Sequence, residues 1–280
     1  MTGTARLRLL VLPGLALLAF IYAWPTLGLL RTAFNEIAPT GAMIEAWSLK
    51  SAREVLLDPF TYELTLNSIE LSLSATAIAL ALAYPVALFL FRTGSRWRGV
   101  LAVIAVMPML VSGVVRVFGW LAILGDRGLI NTLIQSLGLT GSPVRLVYNW
   151  TGVTIGLAES IMPYMILALV AGFGRLDRTL EEAAVSLGAS PWRTFLRVTL
   201  PLSLPAIALA SGLGFILSMS AYITPRLLGG GRVFVLATEI FEQATTNTNW
   251  PAAAVLAIYT LTLLGTLAAV AQSAARRSRA

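Results

Sequence analysis

Three ionisable side chains stand inside long apolar stretches of this 280-residue chain: Glu70, Arg116 and Glu159. A charge at mid-bilayer depth costs on the order of 3 kcal/mol or more, so it faces a partner or a water-filled path. The chemistry open to these three is ion pairing, or capture of a charged group on a ligand. Nucleophilic catalysis by a Ser–His–Asp or Cys–His set is excluded, because the sequence has no His and no Cys. The same absence removes disulfides and the two commonest zinc ligands. No metal site is expected.

Arg116 lies about two-thirds along its apolar segment and Glu159 about two-fifths along the next. Consecutive segments run in opposite directions, so both charges fall in the outer half of a membrane at comparable depth. They can form an interhelical ion pair. Alternatively, Glu159 faces a cavity and binds a cationic group of a solute. Glu70 is four residues into its segment and reads as a solvated interfacial carboxylate or a group at a cavity mouth. Trp120, Tyr164 and Tyr222 are candidate lining residues, since an aromatic face attracts ammonium groups. At helical spacing the same aromatics also serve as plain packing.

The elements that must position these residues are membrane spans. Hydrophobic residues make up 57% of the chain and charged residues 12%, with a mean hydropathy of +0.81. Soluble domains carry roughly 25% charge, so a bilayer is the natural solvent here. Six windows are long and apolar enough to span it: 9–30, 66–91, 100–124, 150–172, 202–224 and 250–272. Arg6 and Arg8 precede the first window in the manner of a signal peptide. That run continues uncharged to Leu30, too long for a signal core of roughly 7–15 residues, and is read as an uncleaved span. Pro108 and Pro163 sit in spans that also hold a charge, where a broken helix can line a cavity. Pro25 and Pro85 read as kinks. Residues 127–138 space Leu129, Leu133 and Leu137 on one face and end at Gly138, which predicts a short amphipathic interfacial helix. Residues 47–65 are a second such candidate. Trp47, Trp150 and Trp250 stand near span ends as interfacial anchors.

The formal charge of +7 is explained by where the arginines sit, and nucleic acid is not an expected partner. The N-terminus, 92–99, 173–201 and 273–280 hold twelve Lys and Arg in 53 residues, Arg175 and Arg279 among them; 31–65, 125–149 and 225–249 hold seven in 85. By the positive-inside rule both termini and the 173–201 loop are cytoplasmic.

That loop is punctuated. Thr179-Leu180-Glu181-Glu182 fits a capping box, with Thr179 capping the Glu182 amide. Gly188 stops the helix as a C′ glycine. Ser190-Pro191 starts a second helix, with Ser at the N-cap and Pro at N1, and Pro201 ends it. Leu180, Ala183, Ala184 and Leu187 share one flat face, which either packs on its own bundle or is closed over by another protein's groove.

Glu182-Ala183-Ala184, three residues, Gly188, nine residues and Val198-x-Leu200-Pro201 resemble the EAA motif of ABC importer permeases. Val115-Arg116-Val117-Phe118-Gly119-Trp120-Leu121, Leu124-Gly125-Asp126-Arg127-Gly128-Leu129-Ile130-Asn131, Gly188-Ala189-Ser190-Pro191-Trp192, Thr224-Pro225-Arg226-Leu227-Leu228-Gly229-Gly230 and Asn249-Trp250-Pro251 are similar to the spermidine/putrescine-type subfamily. Arg226 stands where that subfamily has a small residue, and Glu159 where it has an aromatic or His. The resemblance covers nearly the whole chain. It implies one all-α permease domain over 1–280 with six spans, the type I importer fold and both termini inside a bacterial plasma membrane. It implies that Glu181, Glu182, Ala183, Ala184, Gly188, Leu200 and Pro201 couple the chain to a dimer of ATP-binding subunits, which hydrolyse ATP with Mg. A second, similar permease and a periplasmic or extracellular solute-binding protein complete the importer. The resemblance implies a polyamine-like cation as the solute, or another solute such as an amino-acid derivative, an opine-like compound or a metal complex. The chain has no GxxxxGK[ST] phosphate loop, so it is not expected to be an enzyme or to bind a cofactor. The rival class, a secondary transporter, calls for inverted repeats and intramembrane acid chains, and no clear repeat is present.

Overall fold

The computed structural model describes residues 3–38, 40–174 and 176–277. Arg175 and Arg279, two of the arginines behind the expected orientation, lie outside the described residues. Among the described residues six helices are long and apolar enough to cross a membrane: Val11–Ala33, Pro59–Arg92, Gly113–Ser136, Trp150–Phe173, Pro191–Met219 and Trp250–Val270. The chain forms two compact units, Met1–Glu63 with Thr238–Ala280, and Leu64–Ala237.

In the first unit, α1 (Gly3–Ala33) packs along α13 (Trp250–Arg277), and α2 (Lys50–Leu57) packs on α13 as well. Ala33 meets Ala254 and Val255 in a small core. A two-stranded antiparallel hairpin, β1 (Glu36–Ile37) with β2 (Met43–Ile44), follows α1 in register Glu36 to Ile44. Arg31 ties this segment together, donating to Asn35 and to the Ala46 carbonyl. Its guanidinium also lies 4.5 Å from the Trp47 ring centroid, so Trp47 is a cation–π partner as well as an exposed indole.

The second unit holds every candidate site residue. It contains most of α3 (Pro59–Arg92), then α4 (Arg98–Val106), α5 (Gly113–Leu124), α6 (Leu129–Ser136), α7 (Trp150–Phe173), α8 (Arg178–Ser186), α9 (Pro191–Thr194), α10 (Leu200–Met219) and α11 (Ile223–Leu228). The short α12 (Leu236–Thr245) starts at its end. Lipid supplies no hydrophobic force between spans, so close van der Waals contact between small residues takes over. Ala75, Ala79, Ala83 and Ala87 recur every four residues on α3, and all are fully buried. α7 packs against α10, where a side chain on Gly172 would meet Ala206. Gly156 of α7 likewise lies against Leu228 and Thr224 of α11.

Four expectations about continuity are decided by the structure. The span expected over 100–124 is broken: α4 ends in a 3₁₀ turn at Met107–Leu110, Val111 and Ser112 are extended, and α5 restarts at Gly113. Pro108 supplies no amide donor, which favours the break. At Pro163 the reverse holds, and α7 runs through it unbroken. The span expected over 202–224 begins at Pro191 and ends at Met219, leaving Tyr222 at the N-cap position of α11. Pro201 ends no helix either. A π-helical turn, Phe195–Thr199, joins α9 to α10, and Leu200 closes it by donating to the Phe195 carbonyl. A widened turn tolerates a proline because its ladder of bonds is already displaced.

The amphipathic helix expected over 127–138 is α6, with Leu129, Leu133 and Leu137 exposed. Its buried Asn131 donates to the Gly125 and Val144 carbonyls and accepts from the Val144 amide. A side chain on Gly128 would sit 2.4 Å from the Ile123 carbonyl oxygen. The Gly-Asp-Arg-Gly-Leu-Ile-Asn stretch is therefore a structural staple of this loop.

Candidate functional site

The 173–201 loop folds into a braced rod. The cap of α8 is Asp177 and not Thr179: the Asp177 carboxylate accepts from both the amide and the hydroxyl of Thr179. Asp binds the amide two residues on, which starts the helix two residues earlier than a Thr179 cap would. These two bonds hold the Asp177 carboxyl below its ordinary 3.8. A depressed carboxylate pKa contributes stability above the ordinary value and loses it as pH falls through the lowered one. The first turn of α8 is therefore expected to fray only in acid below pH 3.8, as amide exchange of residues 178–181 would report.

At the other end Gly188 has φ +85°. Its amide donates to the Val185 carbonyl and that of Ala189 to Ala184, a Schellman closure. Ser190 then caps α9 at Arg193, with Pro191 at N1. Leu187 is 88% exposed and Leu180 47%. Glu182 and Ala183 are exposed, and Ala184 is half-buried. The flat apolar face thus points largely away from its own bundle. Leu200 is half-buried and Pro201 exposed where the loop meets α10.

Glu181 turns the other way. Its Oε1 lies 2.6 Å from Nη2 of Arg92 and accepts from Thr199 Oγ1 at 2.7 Å. Sequence reading missed Arg92 and Thr199 as its partners. The available signal was an arginine at the end of one span and an acid after the polar start of a loop helix.

Within the membrane segments, the structure brings Arg116, Trp120 and Glu159 together. Arg116 Nη1 stands 3.9 Å from Glu159 Oε1, and Trp120 Nε1 donates to Glu159 Oε2 at 3.2 Å. Arg116 and Trp120 are one turn apart on α5, just past the break, so both reach the same point on α7. The contact is an ion pair at long range and not a hydrogen bond. Nε and Nη1 of Arg116 are sealed from solvent without an acceptor. Tyr164 is half-buried on α7, five residues past Glu159 and therefore on a different face. Glu70 is exposed on α3, and Tyr222 is half-buried before α11. Among the described residues Glu70 does not join the Arg116–Trp120–Glu159 group.

A bundle of apolar spanning helices joined by a braced rod with an exposed apolar face is the build of a membrane transport permease. Residues 75–279 match the family described as binding-protein-dependent transport system inner membrane component. The chain belongs to that family: it is an inner-membrane permease subunit of an ABC importer, a transport subunit and not an enzyme. It is 31% identical over 221 residues to the spermidine/putrescine transport system permease protein PotB of Escherichia coli, covering 79% of this chain and 80% of that one. It is 29% identical over 212 residues to PotB of Haemophilus influenzae, covering 76% and 74%. Among solved structures, the bacterial alginate ABC transporter in complex with an alginate pentasaccharide-bound periplasmic protein superposes with a TM-score of 0.72 at 18% identity, covering 97% of this chain and 94% of that one.

Proposed function

We propose that this permease forms half of the pathway for a small organic cation of the polyamine class. It sits with both termini and the 173–201 loop in the cytoplasm. A second, similar permease supplies the other half, and a solute-binding protein delivers solute to the outer loops. Two ATP-binding subunits hydrolyse ATP, grip the α8 rod and drive the bundles between outward- and inward-facing states. The observation that carries this reading is the rod itself: Glu182, Ala183 and Leu187 are exposed on a helix fixed at both ends. A rigid, exposed face loses little conformational entropy when a partner covers it. Relatives named as spermidine/putrescine permeases support the solute class.

In this reading Glu159 receives a cationic group of the solute, with Trp120 orienting the carboxylate. Glu159→Gln keeps an acceptor for Trp120 and removes the charge. Uptake of a cationic solute is expected to fall roughly tenfold or more, the worth of one charge-assisted hydrogen bond, with the permease still assembled. Unchanged uptake kinetics would remove Glu159 from the path. A second reading is favoured by Arg116, which already faces Glu159 and keeps two donors without acceptors. A solute with a carboxylate beside its amine, such as an amino-acid derivative, would satisfy both residues. Affinities of the cognate binding protein for polyamines, amino-acid derivatives and metal complexes separate the two readings.

A further inference from the structure

Glu181 and Glu182 are adjacent on α8, yet one faces the bundle and the other faces out. We propose that Glu181, with Arg92 and Thr199, is the positioning linkage that carries movement of α8 into α3 and α10. This rests on the reading of α8 as the docking element for the ATPase subunits. Glu182 and the apolar face belong to that docking; Glu181 does not.

The geometry is a closed ring. Nη2 of Arg92 lies 2.6 Å from Glu181 Oε1 and donates to Thr199 Oγ1 at 3.0 Å, while Thr199 Oγ1 donates to the same Glu181 oxygen at 2.7 Å. Moving any one member disturbs two contacts. Each member comes from a different element. Arg92 is the last residue of α3, Glu181 lies within α8, and Thr199 ends the π-helical turn from which α10 rises. One carboxylate oxygen therefore joins the rod to the ends of two spanning helices.

The ring is anchored on its inner side. Thr199 is 1% exposed. Tyr84 packs edge-on against Phe173 and Phe195 at 5.5 and 6.1 Å, and its hydroxyl bonds Ser203 at 2.9 Å. Aromatic and hydroxyl contacts thus hold α3, α7 and the start of α10 together beneath the ring. The Arg92 side chain is 40% exposed, and exposed ion pairs contribute little to stability. What a short charge-assisted contact supplies here is direction: it fixes where α8 pushes.

The test uses the complete importer in proteoliposomes, with its binding protein and solute, and reads two quantities. One is retention of the ATPase subunit by the purified complex. The other is solute transported per ATP hydrolysed, which a change in overall stability does not move. Glu181→Ala is expected to retain the ATPase subunit and to lower transport per ATP by about tenfold, the loss of charge-assisted contacts. Thr199→Val keeps the side-chain volume and is expected to lower it in the same direction. The exchange Arg92→Glu with Glu181→Arg is expected to restore most of the ratio. Normal transport per ATP in Glu181→Ala or Thr199→Val overturns the linkage. So does an exchange variant no better than Glu181→Ala, or loss of the ATPase subunit in Glu181→Ala, which would make Glu181 a docking residue. Full retention of the ATPase subunit by Glu182→Lys would overturn the docking reading itself, separately from these results.

Discussion

Glu182→Lys is expected to leave the permease folded in the membrane and to abolish its hold on the ATPase subunit. Glu182 is exposed, and among the described residues no hydrogen bond or ion pair holds its side chain. Lysine has a helix propensity close to that of glutamate, so α8 keeps its shape. The charge is nevertheless inverted in the middle of the face proposed to dock. Losing one partner of a hydrogen-bonded charge pair at an interface costs about 2–5 kcal/mol, or roughly thirtyfold to several thousandfold in affinity. Uptake should fall to background. Gly188→Asp should act in the same direction by another route. There is open space for its side chain, but the backbone there has φ +85°. The substitution strains the turn by about 1 kcal/mol and places a carboxylate beside the exposed Leu187. Co-purification of the ATPase subunit on tagged permease reads both variants. Wild-type yields of that subunit with Glu182→Lys would contradict the docking assignment.

The second large effect is expected at Gly172. A Cβ there would lie 2.4 Å from the Cβ of Ala206 and 3.1 Å from its Cα. Optimal carbon contacts are about 3.5–4.0 Å, so α7 and α10 would have to separate by an ångström or more at their contact. Gly172→Leu adds further atoms to the same place. Overpacking of this kind costs about 1–3 kcal/mol or more, a large part of a marginal stability. Little folded permease should reach the membrane, whatever the ATPase subunit does. Because the nearest atom is the Ala206 methyl, the pair Gly172→Ala with Ala206→Gly should recover the yield that Gly172→Ala alone loses. Monodisperse yield in detergent gives the answer. No difference between Gly172→Leu and wild type would mean that the two helices are not in contact at this point.

Much of this was legible from local chemistry. Uninterrupted apolar windows reported the spans, since length and charge alone decide what a bilayer accepts. Gly188 and Ser190-Pro191 announced their turn because a left-handed residue and a helix start each demand particular side chains. Leu129, Leu133 and Leu137 did the same for α6. What remained hidden depends on competition between signals. Thr179 and Asp177 are both good caps, and the carboxylate won by taking two donors from Thr179 itself. Pro108 and Pro163 look alike in sequence. Only after Pro108 does the chain turn extended, at Val111 and Ser112, with Ser112 standing as the N-cap of α5. The opposite facing of Glu181 and Glu182 depends on Arg92 and Thr199, 89 and 18 residues away from Glu181. No local pattern carries that information.

The π-helical turn at Phe195–Thr199 takes up one extra residue between the rod and the membrane. A widened turn holds about one residue more than an α-helical turn over the same rise, and each residue of an α-helix advances about 100°. Shortening this segment by one residue would return it to regular winding with α9 and α10 still in phase, and the Pro201 ring would then meet the carbonyl four residues before it. A single surplus residue thus makes room for a proline inside a continuous helix, and the length of this short stretch is as much a constraint on the chain as the identity of any side chain in it.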